Sequence, residues 1–323
     1  MTIKDITQIV NDGINNLPYE RSPKTLYEPI IYTMSQGGKR IRPVLTLLSY
    51  YLFKNDIHEA LPCAMGLEMY HNYTLLHDDL MDNADMRRGN MTVHKKWDAN
   101  TAILSGDSML VLSYQLMSKC PQHLLPQILN VFTITALEIG EGQQYDMDFE
   151  KRIDVTEDEY IEMIRLKTSV LLACAAKIGA ILGGASDEEQ AHAYLFGEQL
   201  GLAFQLQDDF LDVYGDEKIF GKKIGGDITS NKKTYMLIKA LERAEGEYKQ
   251  QLEYWIQAQE FDRNEKVNAV TEIYTQLGID KLAKEKIDKY FSSALHHLDS
   301  ICVPAERKKE LLSFVQQMMR RER

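Results

Sequence analysis

Apolar residues recur along this chain at intervals of three and four rather than two, and that period predicts helix almost throughout. The 8 prolines and 19 glycines punctuate it. Between them the pattern predicts helices over 1–16, 27–34, 43–53, 58–82, 100–119 and 121–149. Another opens on Thr156 as N-cap and runs through 170–185. Amphipathic helices fill 235–323, with Pro304 opening the last. Gly37 and Gly38 read as a helix stop and Pro43 as the first turn of the next helix, while Gly89 reads as the break after 58–82. The result is an all-α chain, with no linker, repeat or low-complexity segment to divide it, and residues 1–323 are taken as one helical domain.

Composition narrows the class. With 44% hydrophobic and 26% charged residues, the chain is of the ordinary globular kind. A net charge of −11 opposes general nucleic-acid binding, which needs a basic field, so an anionic ligand would require local cations. Cys63, Cys120, Cys174 and Cys302 lie far apart without metal-ligand spacing and read as reduced core thiols, which points to the cytoplasm. Segment 1–16 carries Asp5 and Asp12 and reads as an amphipathic helix, not a signal peptide. Segment 170–185 is interrupted by Lys177 and rich in Ala and Gly, so it reads as a packed core helix and the chain as no integral membrane protein.

Two stretches break the apolar pattern with charge. Leu76-His77-Asp78-Asp79-Leu80-Met81-Asp82 places Asp78 and Asp82 on one helical face with Asp79 beside them, and Asp208-Asp209-Phe210-Leu211-Asp212 repeats that spacing 130 residues later. Carboxylates this close repel and are costly to bury unpaired, so each cluster calls for a cation. Separate basic groups accompany them: Lys39, Arg40 and Arg42 at a helix junction, Arg87 and Arg88 after the first cluster, Lys222 and Lys223 in a glycine-rich loop, and Lys232 and Lys233 before the next helix. His71 and His77 have no i, i+4 His partner, and no zinc site is assigned. Sparse aspartates opposite cations suit Mg²⁺ completed by substrate phosphates and water. No Ser or Cys nucleophile with a His partner is evident. The chemistry implied is departure of a diphosphate, aided by Lewis-acid metal and positive side chains, with the two aspartate helices expected to face one another across a cavity.

Together, Gly38-Lys39-Arg40-x-Arg42-Pro43, Asp78-Asp79-x-x-Asp82 with Arg87-Arg88-Gly89, Lys167-Thr168, Phe204-Gln205, Asp208-Asp209-x-x-Asp212, and Lys222 and Lys232 resemble the trans-isoprenyl diphosphate synthases over nearly the whole chain. The resemblance implies the isoprenoid synthase fold, a helical bundle around a deep central cavity, usually homodimeric. It implies Mg²⁺, about three ions per site with substrate bound, held by Asp78, Asp79, Asp82, Asp208, Asp209 and Asp212. It assigns Arg87, Lys167, Gln205, Lys222 and Lys232 to an allylic diphosphate (dimethylallyl, geranyl or farnesyl), and Lys39, Arg42, His71 and Arg88 to isopentenyl diphosphate. Lys167, Thr168 and Gln205 take catalytic roles, Thr168 and Gln205 beside a carbocation from which water must be excluded. Met91 departs from the proline often found there, and Lys222-Lys223 leaves the active lysine open by one position.

Product length is expected from the face preceding Asp78. Tyr73, five residues earlier and followed by the small Thr74, resembles the floor of C20 synthases, and Tyr70, eight earlier, would shorten the product to C15. The expectation is a C15 to C20 product. The alternatives are a longer-chain polyprenyl synthase, opposed by Tyr73, and a non-catalytic partner subunit, opposed by two intact aspartate clusters. A class I terpene cyclase is opposed by the second cluster and by Lys39 and Arg42.

Overall fold

The helical period is realised nearly end to end in the computed structural model, which describes residues 1–216 and 224–320. In chain order the helices are α1 (Ile3–Asn15), α2 (Lys24–Ser35), α3 (Ile41–Tyr51), α4 (Leu61–Met81), α5 (Val93–Lys96), α6 (Ala99–Met117), α7 (Leu125–Glu150), α8 (Glu157–Ile164), α9 (Val170–Gly183) and α10 (Asp187–Tyr214). After residues 217–223 come α11 (Gly226–Thr229), α12 (Tyr235–Arg243), α13 (Gly246–Gln257), α14 (Arg263–Gln276), α15 (Ile279–Ser300) and α16 (Ala305–Met319). The all-α expectation is met.

Local signals explain most boundaries. Thr2 and Asp5 close a reciprocal capping box on α1, and Thr156 and Glu159 do the same for α8. Thr234 accepts from the Leu237 N–H to start α12. Several boundaries differ from the sequence expectation. Helix α3 starts at Ile41, two residues earlier than expected, with Arg40 as N-cap in the left-handed region at φ 49°, and Pro43 lies in the first turn as expected. Helix α4 stops at Met81 with Asp82 as its C-cap, and Gly89 lies instead in the turn of a small antiparallel hairpin, β1 (Met86–Arg87) on β2 (Asn90–Met91). Between α8 and α9 the helix widens into a π turn over Arg165–Ser169, where the Val170 N–H donates to the Arg165 carbonyl five residues back.

The chain falls into two compact units. The first holds Met1–Thr133, Cys174–Ala193 and Cys302–Leu311. There α1 buries Ile6, Val10 and Ile14, one stripe at i, i+4, i+8, and α4 packs mainly on α6 and α3. The second holds Ile134–Ala173, Tyr194–Ile301 and Leu312–Arg323, apart from the residues not described. Its core joins Tyr160, Met163 and Ile164 of α8 to Leu206 and Phe210 of α10 and to Tyr235 and Leu237 of α12. One segment, Glu157–Gly183, is long and apolar enough to cross a membrane, but 83% of its most apolar window is buried inside the protein. It is a core helix.

Candidate active site

In the first unit, the two arginines flanking Ile41 have opposite fates. Arg40 turns inward. Its Nη1 donates to Glu68 Oε1 at 2.7 Å, its Nη2 to the Met34 carbonyl at 2.9 Å and its Nε to Asn11 Oδ1 at 3.2 Å. Both ends of this ion pair are almost fully buried, and Asn72 also donates to Glu68. Arg42 has no carboxylate partner among the described residues. Its Nη1 meets His71 Nε2 at 3.2 Å, and its Nε is closed off from solvent without a hydrogen-bond partner among the described residues. Burial draws its pKa down to about 10, opposed by Glu68 and reinforced by Arg88, so it stays cationic at neutral pH. His71 is held well below its ordinary value by burial and then by Arg42 and Arg88, and is neutral.

Arg88 closes on the same corner by donating from Nη1 to the Gly37 carbonyl. A Cβ on Gly38 would lie 2.9 Å from the Arg88 guanidinium, and Gly38 adopts φ 130°, so glycine is what lets the loop and the arginine approach. The structure therefore brings Arg42, His71 and Arg88 together, with Lys39 exposed in the preceding loop. Cations gathered round a neutral imidazole, one with an enclosed and unused donor, form a seat for an anion rich in oxygen acceptors.

The first aspartate triad ends α4. Asp78 is half-buried, Asp79 is 5% exposed and Asp82 is exposed. Arg87, on β1, forks onto Asp79, with Nε 2.8 and 2.7 Å from its two oxygens and Nη2 2.7 Å from Oδ1. The hairpin missed in the sequence is what returns Arg87 to the helix it follows. One and two turns before Asp78, aromatic rings meet in tilted and edge-to-face pairs. Tyr73 meets His77 at 4.8 Å and Tyr70 at 5.4 Å, and Tyr70 meets Phe132 of α7 at 5.2 Å, itself 4.9 Å from Tyr114 of α6. Tyr70 and Phe132 are buried while Tyr73 is half-buried, and Thr74 donates to the His71 carbonyl. No spacing in the sequence links Phe132 or Tyr114 to Tyr70; only the packing of three helices does.

The second unit carries the other candidates. Lys167 and Thr168 lie in the π turn, a distortion frequent at functional sites. Lys167 Nζ is 2.5 Å from Asp146 Oδ2 on α7, and Thr168 donates to Gln205 Oε1 at 3.0 Å. A Cβ on Gly142 would come 2.3 Å from the Lys167 nitrogen, so that glycine admits the widened turn against α7. Asp146 and Gly142 were not singled out in the sequence, although both precede the Lys-Thr pair on one helix. On α10, Gln205 Nε2 donates to Asp209 Oδ1 at 2.8 Å, and the Tyr160 hydroxyl donates to Asp209 Oδ2. Burial raises the Asp209 pKa, opposed by Lys232 and by these two hydrogen bonds. Asp212 accepts from the Asp227 N–H at 2.8 Å, and Asp208 is half-buried. Lys232 is exposed between α11 and α12. Lys222 and its alternative Lys223 lie outside the described residues.

Residues 23–274 match the polyprenyl synthetase family model. The chain belongs to the polyprenyl synthetase family. Among curated relatives, a geranylgeranyl diphosphate synthase of Methanosarcina mazei is 42% identical over 244 residues, 75% of each chain. A crystal structure of a geranylgeranyl pyrophosphate synthase matches with a TM-score of 0.93 at 41% identity over 100% of both chains. A geranylgeranyl pyrophosphate synthase of Corynebacterium glutamicum, solved with isoprenyl diphosphate and magnesium, matches with a TM-score of 0.88 at 25% identity, covering 99% of this chain and 100% of that one. As a polyprenyl synthetase with the isoprenoid synthase fold, the chain is a short-chain trans-prenyltransferase.

The aspartates of this polyprenyl synthetase suit a hard divalent cation. The donors are all oxygen, each triad joins a half-buried Asp to a buried one, and no group of three or more ligating side chains converges into a closed cage among the described residues. Such sparse oxygen donors suit a hard divalent cation whose remaining positions are filled by phosphate and water.

Proposed function

We propose that the chain condenses isopentenyl diphosphate head to tail with allylic diphosphates, dimethylallyl through farnesyl, and releases a C20 product. The observation that carries this is Arg42, a half-buried cation with an enclosed Nε and without a carboxylate partner among the described residues, beside neutral His71 and Arg88. A half-buried cation whose Nε is shut off from solvent favours an anion, and a diphosphate offers several acceptors at once. Lys39, Arg42, His71 and Arg88 take the isopentenyl diphosphate. Arg87, Lys167, Gln205, Lys222 and Lys232 take the allylic diphosphate, with Asp78, Asp79, Asp82, Asp208, Asp209 and Asp212 as the metal carboxylates. Mg²⁺ bound there supplies Lewis-acid stabilisation of the departing diphosphate.

The side chains do the remainder. The allylic C–O bond breaks, its electron pair leaves with the diphosphate, and Arg87, Lys167 and Lys232 stabilise that charge. The isopentenyl double bond attacks the allylic cation, and the proton lost goes to the departed diphosphate. Thr168 and Gln205 line the cation with oxygen lone pairs and amide dipoles. Half-buried Tyr73, backed by the buried Tyr70 and Phe132, supports a floor at C20, and relatives named geranylgeranyl synthases agree with that length. Exposed Ile103, Leu104 and Val111 on α6, and Ile134 and Leu137 on α7, support a homodimer. The reading also places the protein in the cytoplasm. The test is incubation of pure protein with Mg²⁺, labelled isopentenyl diphosphate and C5, C10 or C15 primers; elongation of each to C20 supports the reading, and no elongation of any primer overturns it.

A further inference from the structure

Tyr160 reaches the second aspartate triad and has no part in the chemistry above. Only 1% of it is exposed, and it is set among Phe149, Leu206, Phe210 and Tyr235. Its helix is tied down on both sides. Arg152 pairs with Glu159 at 2.7 Å beside the capping box, and Glu157 bridges Lys239 and Lys286, each at 2.5 Å. A phenol fixed this firmly, with its hydroxyl on a buried carboxylate, constrains that carboxylate to one orientation. Its hydroxyl donates to Asp209 Oδ2.

Donor direction then passes along a line of hydrogen bonds. Gln205 Nε2 donates to Asp209 Oδ1, the carboxylate oxygen that the phenol does not take. The Gln205 carbonyl oxygen consequently faces Thr168 and takes its only O–H. Thr168 is left with lone pairs alone for whatever lies on its other side. An oxygen presenting lone pairs attracts a carbocation, whereas one presenting its proton would repel it.

We propose that Tyr160 is a positioning residue that, through Asp209, fixes both the metal-binding carboxylate and the polarity of Gln205 and Thr168 toward the prenyl cation. This rests on the prenyltransferase reading given above. Residues that orient a metal-binding carboxylate typically change metal affinity 10- to 100-fold when removed.

The test uses the full-length protein and Mn²⁺ as the metal probe, titrated by electron paramagnetic resonance in the presence of inorganic diphosphate, alongside steady-state kinetics with Mg²⁺. Tyr160→Phe is expected to weaken Mn²⁺ binding by about 10-fold and to lower kcat at least as much, while KM for isopentenyl diphosphate stays within about twofold because Arg42, His71 and Arg88 are untouched. In the Asp209→Asn background, adding Tyr160→Phe should cost less than about twofold in either quantity, since the residue it acts through is already altered. Wild-type Mn²⁺ affinity and kcat in Tyr160→Phe, or losses that multiply in full on top of Asp209→Asn, would overturn the proposal. If Tyr160→Phe folds poorly, the comparison of Asp209→Asn with the double variant decides, because the buried charge is absent from both. A wild-type protein that elongates no primer would defeat the enzyme reading alone, and the Mn²⁺ titration would still report on Tyr160 and Asp209.

Discussion

Arg87 and Asp79 form a forked ion pair across a hairpin, with the carboxylate buried and the guanidinium about one-third exposed. The pair holds a cation where the proposed metal site needs one, and it also holds in place an arginine proposed to receive the leaving diphosphate.

Removing that arginine should therefore separate chemistry from substrate capture. Arg87→Gln is expected to lower kcat by about 100-fold, the usual cost of losing one donor to transition-state charge, with KM for isopentenyl diphosphate changed by less than about twofold. Steady-state kinetics with each substrate varied in turn checks this. A rise confined to the isopentenyl KM would reassign Arg87 to the other diphosphate.

Arg40 and Arg42, two residues apart, should respond in opposite ways. Glu68→Ala strands Arg40 as a buried charge and is expected to cost about 3–5 kcal/mol of stability, read as a lowered denaturant midpoint. Arg42→Gln removes an uncompensated cation instead and should leave the midpoint unchanged or raised, while raising KM for isopentenyl diphosphate by about 10-fold or more, as expected for one charge-assisted contact of about 1.5–3 kcal/mol. Equilibrium unfolding and initial rates on the two variants distinguish these roles.

The neutrality of His71 predicts a pH dependence. Burial, Arg42 and Arg88 hold its folded pKa well below the ordinary 6.5. As pH falls through about 6.5 the unfolded chain takes up a proton that the folded protein does not, and stability declines. The midpoint of unfolding should fall between about pH 7.5 and pH 5.5, and His71→Gln should make that fall shallower. Saturating inorganic diphosphate should also reduce the slope, because an anion beside the imidazole favours its protonated form.

Much of this site was legible because its logic is local. Asp78-Asp79-x-x-Asp82 and Asp208-Asp209-x-x-Asp212 announce themselves through carboxylates in apolar surroundings, and the helical period carries the fold. What stayed hidden depends on tertiary approach. Glu68 is a lone carboxylate in an apolar run, and its role depends on Arg40 turning inward on a left-handed backbone. Asp146 became a partner only through the π turn at Lys167, a change of helical register that no periodic pattern reveals. Tyr160 is by period alone one more apolar position of α8, and its hydroxyl matters only through a residue 49 positions away. The hairpin at Arg88 and Gly89 was read as a plain helix break because two-residue strands leave no alternation to detect.

The aromatic column on α4 predicts what happens when its upper ring is removed. Tyr73→Ala should open about one helical turn, 5.4 Å, roughly the reach of one added isoprene unit, and shift products from C20 toward C25. Growth should then stop at Tyr70, which is braced by Phe132. Tyr73→Ala with Phe132→Ala should lengthen products further, because Tyr70 loses that support. Chromatography of the dephosphorylated alcohols measures both, and an unchanged profile in Tyr73→Ala would remove Tyr73 as the floor.

The proposed dimer makes a prediction on residues outside both aspartate triads. Leu104 and Val111 of α6 are 59% and 67% exposed, and seven residues apart they share one helical face. Leu137 of α7 is 66% exposed in the other unit. In the proposed dimer the face shared by Leu104 and Val111 is covered, and a charge there would have to be buried unpaired. Leu104→Glu with Val111→Glu should convert a dimer to monomer in sedimentation equilibrium, whereas glutamates on a truly solvated face would change stability by less than about 0.5 kcal/mol and leave the mass unchanged. A wild-type protein that sediments as a monomer at micromolar concentration would remove the dimer altogether.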